Sequence, residues 1–325
     1  ASSTTDVVDK YRLDPRKPFF FRALEGLYPP GSVFKPIVAV AALNEHTIDP
    51  EYKIFSSGSI AIPNPYNPKE ESKFFDWKAH GWVDMSRAIS VSSNVYFYSI
   101  GGGFGDVRGL GVNLIAEYAK KFGLGSKVGV ELPEKDGLVP TPEWKEKNQP
   151  SDPVWRIGDT YHFSIGQGLL QVTPVQMARV VSAVAMDGTA AEPHFVREVR
   201  AGASALGRSS TGETHVTPVT RRSLGISADI FRIVKEGMRG AVLGGTASAL
   251  SGLNVAVAGK TGTAEIGTEK QRVNSWFIGF LPYDHPKLAV VVTLESGEVK
   301  NLVGAPFVAR EIVSWLTDHR PEYMQ

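Results

Sequence analysis

The sequence of 325 residues contains no cysteine, and this absence removes several kinds of chemistry at once. Disulfide bonds, thiolate metal sites and cysteine nucleophiles are all excluded. An excess of one charge is also lacking, because 35 Lys and Arg residues are balanced by 34 Asp and Glu residues. This balance provides no general attraction for nucleic acid or anionic lipid, so neither is an expected partner.

Long apolar runs are missing as well. No stretch reaches the roughly 20 residues of a membrane-spanning helix, and no signal peptide opens the chain, so we expect the chain itself to be soluble. The polar start, residues 1–6, has no initiator Met, which indicates a fragment of a longer protein. The seven histidines are scattered without a His-x-x-x-His pair, so no metal site is predicted.

Apolar periodicity and turn residues predict an α+β fold in which a mostly helical part precedes an antiparallel sheet. Helices are predicted over residues 32–44, 83–89, 95–100, 114–122, 173–186, 228–242 and 305–316. Strands at hairpin spacing are predicted over residues 254–266, 273–281 and 288–294. Irregular or surface segments are predicted over residues 1–31 and 132–160, and an exposed hairpin tip or a mobile loop over residues 200–215.

The first motif with chemical meaning is Ser32-x-x-Lys35, at the start of an apolar helix. Residues three apart share one face of a helix, so the lysine amine can reach the serine hydroxyl. A serine hydroxyl becomes a good nucleophile when a neighbouring base removes its proton. Lysine can be that base if burial lowers its pKa, and the apolar run 37–43 favours such burial. The alternative is an N-cap serine beside a lysine that extends its amine to solvent.

The second motif is Ser92-Ser93-Asn94, which lies between two predicted helices. From such a turn the Ser92 hydroxyl and the Asn94 amide can point into one cleft, where the first transfers a proton and the second holds a lysine or a substrate carbonyl. An ordinary helix junction has the same composition. By itself, therefore, this motif does not indicate a function.

The third motif is Lys260-Thr261-Gly262-Thr263, at the end of the apolar strand segment 255–259. The Lys260 ammonium and the two threonine hydroxyls can bind a carboxylate, and Gly262 lets a substrate backbone approach the strand. An amide of this strand and the amide of Ser32 can together form an oxyanion hole.

The three motifs occur in the order Ser-x-x-Lys, Ser-x-Asn, Lys-Thr-Gly, a set typical of penicillin-binding proteins and class A β-lactamases. The chain resembles the transpeptidase domain of class B penicillin-binding proteins, within them the elongation-type penicillin-binding protein 2. The resemblance runs from about residue 14 to residue 316 and is carried by residues 14–18, 22–32, 158–160, 164–168, 172–174, 259–264 and 276–280.

The resemblance implies one transpeptidase domain over residues 1–325, folded as an α/β/α sandwich. Its mostly helical part would span about 32–190, its exposed hairpin about 194–220, and its sheet with the closing helix about 228–318. The family places about two strands before the Ser-x-x-Lys helix, and residues 1–13 do not resemble them. We therefore expect those strands, the membrane anchor and the N-terminal pedestal to be missing from this chain.

The resemblance also implies roles for individual residues. Ser32 would attack the carbonyl between the last two D-alanines of a peptidoglycan stem peptide, and Lys35 would be the general base. Ser92 would relay the proton to the leaving amine, while Asn94 would hold Lys35 and the substrate. Many elongation-type members have Asp where this chain has Asn94.

The third motif has its own implied roles. Lys260 would keep the site positive, and Thr261, Gly262 and Thr263 would bind the terminal carboxylate end of the peptide. The acyl-enzyme would pass to an amine of a neighbouring stem, which forms a cross-link for cell-wall elongation and cell shape. No metal or organic cofactor is implied.

The implied partners are stem peptides, β-lactams that acylate Ser32, and a membrane glycosyltransferase of the cell-elongation complex. The parent protein would be membrane-anchored, with this domain outside the cytoplasmic membrane. Three other functions remain open. A D,D-carboxypeptidase uses the same motifs with water as the acceptor, a serine β-lactamase hydrolyses its acyl-enzyme rapidly, and a non-catalytic β-lactam sensor is acylated once and stops.

Overall fold

The computed structural model describes residues 4–64, 67–200, 214–216, 220–267, 271–300 and 303–324. The helices are α1 (Thr4–Arg12), α2 (Arg22–Glu25), α3 (Lys35–Asn44), α4 (Met85–Val91), α5 (Asn94–Gly102), α6 (Gly111–Lys121), α7 (Pro142–Asn148), α8 (Ile157–Ser164), α9 (Pro174–Ala185), α10 (Ala228–Gly244) and α11 (Ala305–His319). The strands are β1 (Ile54–Ser56), β2 (Ser59–Asn64), β3 (Asn67–Phe75), β4 (Gly81–Val83), β5 (Thr189–Ala191), β6 (Glu198–Arg200), β7 (Thr214–Val216), β8 (Arg221–Ser223), β9 (Ala258–Ile266), β10 (Arg272–Leu281) and β11 (Leu288–Glu298). Within these ranges, no helix has the length and apolar character needed to cross a bilayer.

The main sheet is antiparallel and has the order β11-β10-β9 in the described part of the chain. Successive side chains of a strand point to opposite faces, and β10 follows this rule. Trp276 and Ile278 face the large core that contains α3, α9 and part of α10, whereas Phe277 and Leu281 pack against α11. Helices therefore cover both faces of the sheet, and the predicted α+β class with an antiparallel sheet flanked by helices is confirmed.

Helix α3 is the central helix of the larger core. Every residue from Lys35 to Leu43 is buried, as its all-apolar surface predicts. The helix ends at Asn44, as predicted. Its start differs from the prediction of a helix over residues 32–44, and Ser32 is not the N-cap residue of the alternative interpretation. Ser32 lies inside a short 3₁₀ helix, Gly31–Phe34, whose tighter turn leads directly into α3.

Two segments predicted to be irregular contain helices. Residues 132–160 include α7 and the start of α8. Thr141 caps α7 by accepting a hydrogen bond from the backbone N–H of Trp144 at 3.2 Å. The Asp159 carboxylate accepts one from the N–H of Arg156 at 2.7 Å, at the start of α8. These are ordinary helix-start signals, hidden in the sequence by the surrounding prolines and charges.

The segment 1–31 includes helices α1 and α2 rather than irregular chain alone. Strands β6 and β7 pair as antiparallel neighbours, in agreement with the hairpin predicted there, whose tip at residues 201–213 lies outside the described residues. Among the described strands the main sheet has three members. The expected absence of two further family strands, and the three-part division of the domain, stay predictions.

Candidate active site

The turn that carries Ser32 depends on a glycine in a left-handed conformation. Gly31 has φ +56°, and its N–H donates a hydrogen bond to the carbonyl oxygen of Gly166 at 2.8 Å. A residue with a Cβ would be strained here. The turn leaves Ser32 half-buried between buried neighbours, so part of this residue stays open to solvent.

The same turn packs directly against strand β9. A Cβ atom on Gly31 would lie 2.6 Å from the carbonyl oxygen of Thr263. A Cβ atom on Gly262 would lie 2.8 Å from the carbonyl oxygen of Pro30. Both distances are shorter than real Cβ contacts, so two glycines are needed for this approach. The structure thus brings the first and third motifs together through their backbones, with the Thr263 side chain exposed.

Lys35 is the first residue of α3 and is completely buried. Its Nζ donates hydrogen bonds to Asn94 Oδ1 at 2.7 Å, to the Ser92 carbonyl oxygen at 2.8 Å and to Ser92 Oγ at 3.3 Å. It also lies 5.3 Å from the centre of the Phe97 ring. The first and second motifs are therefore in direct contact.

The surroundings of Lys35 favour its neutral form. Burial lowers the pKa of Lys35 from 10.5 to about 7, and the nearby charge of Asp76 opposes part of this change. All three atoms that accept its hydrogen bonds belong to neutral groups. A lysine with a pKa near neutrality is available as a general base at physiological pH.

Ser92 occupies the turn between α4 and α5 in a left-handed conformation, with φ 59° and ψ 40°. This conformation is uncommon for a residue other than glycine. It places Ser92 Oγ within hydrogen-bond reach of two amines, at 3.3 Å from Lys35 Nζ and 2.8 Å from Lys260 Nζ. A hydroxyl between two amines can accept a proton from one side and donate one on the other.

Lys260 reaches the site from strand β9 and is also completely buried. Besides Ser92 Oγ, its Nζ donates to the carbonyl oxygen of Thr261 at 2.9 Å. Burial, and then the charge of Lys35, lower the pKa of Lys260 well below its ordinary value. Two adjacent buried amines cannot both hold a proton easily, so the site favours an anion that would compensate them.

The family of the chain follows from comparisons with known proteins. The profile of the penicillin-binding protein transpeptidase domain matches residues 2–314. The chain belongs to the penicillin-binding protein transpeptidase family.

Among relatives of this family, the peptidoglycan D,D-transpeptidase MrdA of Haemophilus influenzae is 31% identical over 327 residues, which cover 94% of this chain and 47% of the relative. A structure of Pseudomonas aeruginosa penicillin-binding protein 2 in complex with WCK 5153 superposes with a TM-score of 0.78 at 30% identity, covering 99% of this chain and 69% of that one. The resemblance to the transpeptidase domain of penicillin-binding protein 2 is thereby confirmed.

A Helicobacter pylori penicillin-binding protein 2 in complex with MreC gives the same TM-score of 0.78 at 28% identity, covering 99% of this chain and 55% of that chain. The α/β/α fold expected from the resemblance is that of these structures. The chain spans about half the length of the curated relatives it matches.

Two residues that contact the transpeptidase motifs were not foreseen from the sequence. Thr246 accepts a hydrogen bond from the Thr261 hydroxyl at 2.7 Å, which orients one of the predicted substrate-binding residues. Asp76 lies behind the second motif, and its charge raises the pKa of Lys35. Neither lies in a recognisable sequence pattern, because each reaches the site by way of a loop. For Asp76, the aromatic-rich composition of residues 50–82 was the one available signal.

Proposed function

We propose that this domain is a peptidoglycan D,D-transpeptidase that works through an acyl-enzyme on Ser32 and is inhibited covalently by β-lactams. The observation that carries the proposal is the convergence of Lys35 Nζ and Lys260 Nζ on Ser92 Oγ, at 3.3 and 2.8 Å. The membership of the chain in the transpeptidase family supports it.

In the acylation step, Ser32 Oγ attacks the carbonyl carbon of the penultimate D-alanine while Lys35 accepts the hydroxyl proton. The 3₁₀ turn places the Ser32 amide beside strand β9, where that amide and one of the strand can stabilise the negative oxygen of the tetrahedral intermediate. When the C–N bond breaks, the proton passes through Ser92 to the departing D-alanine amine. Asn94 keeps Lys35 in place through its 2.7 Å hydrogen bond.

The substrate would lie along strand β9, which is an edge strand in the described part of the sheet. An extended peptide can add to such an edge through main-chain hydrogen bonds. Its terminal carboxylate would meet Thr261, Thr263 and the Lys260 amine, beside Gly262. The carboxylate would also raise the pKa of Lys260, so we expect substrate binding to take up a proton.

In the second step, an amine of a neighbouring stem attacks the acyl-enzyme, forms the new amide bond and releases the Ser32 hydroxyl. A D,D-carboxypeptidase would use water instead. We propose a role in cell-wall elongation, with the domain outside the cytoplasmic membrane and a membrane glycosyltransferase of the elongation complex as a partner. The support is the likeness to penicillin-binding protein 2 of Helicobacter pylori, whose structure was solved with MreC.

The primary test is covalent labelling with a fluorescent penicillin, followed by intact mass and peptide mapping. We expect one adduct on Ser32 that Ser32→Ala removes, whereas Ser251→Ala, at an exposed serine, retains it. Labelling that survives Ser32→Ala contradicts the proposal. A D-alanyl thioester with and without an added amine then separates the functions, because a transpeptidase gives the aminolysis product, a carboxypeptidase gives hydrolysis alone, and a sensor gives a single turnover. Rapid release of the penicillin adduct identifies a β-lactamase.

A further inference from the structure

Asp76 directly follows strand β3, and its side chain is completely buried below the turn of the second motif. An ionised carboxylate in such a place is stable when it accepts several hydrogen bonds. Asp76 Oδ2 accepts from Ser93 Oγ at 2.8 Å, from the Val95 N–H at 3.0 Å and from Ser56 Oγ at 3.2 Å. Asp76 Oδ1 accepts from the N–H of Trp77 at 2.9 Å.

Two of these donors, Ser93 and Val95, flank the turn that holds Ser92 in its left-handed conformation. Neighbouring groups reinforce the same attachment. The Trp77 indole N–H donates to the carbonyl oxygen of Val91 at 3.2 Å, and the Asn94 amide donates to the carbonyl oxygen of Phe75 at 3.4 Å. The segment around Asp76 is therefore bonded to the turn on both sides of Ser92.

The electrostatic position of Asp76 is equally specific. Lys35 and Lys260 are both buried, and the groups that directly accept hydrogen bonds from Lys35 are neutral. Asp76 is the carboxylate whose charge raises the pKa of Lys35 and so opposes the effect of burial. His80 Nε2 lies 3.6 Å from Asp76 Oδ1, but burial lowers the pKa of His80, so this imidazole is neutral at pH 7 and does not cancel the carboxylate.

We propose that Asp76 is a positioning residue for acylation of Ser32, which fixes the Ser92 turn through Ser93 and Val95 and compensates the charge of Lys35. This inference rests on the proposed function.

The direct test is Asp76→Asn, which keeps the size of the side chain and removes its charge. Without that charge the pKa of Lys35 falls further below about 7. Because acylation needs neutral Lys35, the pH at which the rate rises should move down by about one unit. The rate on the alkaline plateau should fall about tenfold, because an amide cannot accept on both sides and the Ser92 turn loosens.

The measurement is the rate constant for acylation by a fluorescent penicillin across about pH 5 to 10, with thermal melting of each variant. Ser56→Ala removes one hydrogen bond to Asp76 but leaves its charge, so it should lower the plateau a few-fold and leave the pH of the rise unchanged. Asp106→Asn, at an exposed carboxylate, should change neither.

If the acylation rate of a folded Asp76→Asn variant rises at the same pH as in the wild-type protein, the inference is overturned. A purely structural role would lower only the plateau of the rate. If this variant does not fold, Ser93→Ala replaces it, because it removes the 2.8 Å hydrogen bond to Asp76 and should lower the plateau as Ser56→Ala does. A plateau that is unchanged in both serine variants also overturns the inference. Absence of Ser32 acylation in the wild-type protein would instead contradict the proposed function.

Discussion

Lys35 and Lys145 are both buried, each at most 2% exposed, yet their amines have opposite surroundings. The Lys35 amine donates to neutral oxygens of Ser92 and Asn94. The Lys145 amine, on α7, lies 2.9 Å from an Asp159 oxygen and 3.1 Å from an Asp152 oxygen, and also donates to the carbonyl oxygen of Val154 at 3.0 Å.

The two pKa shifts have opposite signs for this reason. Burial lowers the pKa of Lys35 to about 7, and the charge of Asp76 opposes only part of this change. Burial also lowers the pKa of Lys145, but the hydrogen bonds and charges of Asp159 and Asp152 outweigh it, and the pKa lies above the ordinary value. Burial therefore does not decide the chemistry of a lysine. The charge of its partners decides whether it becomes a base or a permanent cation that joins two helices.

The largest expected difference between the two lysines is in acylation. We expect Lys35→Met to slow the reaction with penicillin by about 10³-fold, because the general base is lost. Lys145→Met should stay within about threefold of the unmodified rate, because its ion cluster does not contact the site residues. The rate constants are measured with fluorescent penicillin at one pH. Equal losses in the two variants would show that Lys35 acts through the fold alone.

Stability should show the opposite order. Lys145→Met leaves the buried side of Asp159 without its cation, so we expect the free energy of unfolding to fall by about 3 kcal/mol. Lys35→Met removes an amine that has no ion-pair partner in direct contact, so its free energy of unfolding should fall by less. Urea denaturation at pH 7 measures both variants. A larger loss for Lys35→Met would contradict this assignment of roles.

The pH dependence of stability sharpens the comparison. The unfolded chain holds a proton on Lys35 up to about its ordinary pKa of 10.5, whereas the folded chain loses it near pH 7. Between these values the unfolded state binds more protons, so folding becomes more favourable as pH rises. We expect the gain between about pH 7 and 10 to be about 3.5 kcal/mol smaller in Lys35→Met. An identical pH dependence in the variant would place the pKa of Lys35 at its unfolded value.

The smallest effect is expected from the exposed ion pair beside Lys145. Arg156 pairs with Asp152, and their side chains are 37% and 49% exposed. Ion pairs of this exposure contribute less than about 1 kcal/mol, so Arg156→Ala should have a small effect in the same urea assay. A loss as large as that of Lys145→Met would show that the cluster acts as one unit.

Much of the site was predictable because its motifs are local. The apolar run after Lys35 predicts a buried helix, and the alternating, β-rich segment around Lys260 predicts a strand. Short-range signals also predicted the turn at Ser92. Helix α7 was missed because its start at Thr141 competes with a run of charges and prolines, and the predicted helix begins at Ser32 because nothing in the sequence marks the 3₁₀ turn.

The sequence by itself determined which side chains this protein can use for chemistry: two serines, two lysines, an asparagine and a threonine-lined strand, with no thiol. The tertiary structure alone decided their charge states and their support. A pKa depends on burial and on charges from other elements, and hydrogen bonds such as those of Asp76 join residues 17 to 20 positions apart. Such contacts form only when the chain folds, so no local pattern contains them.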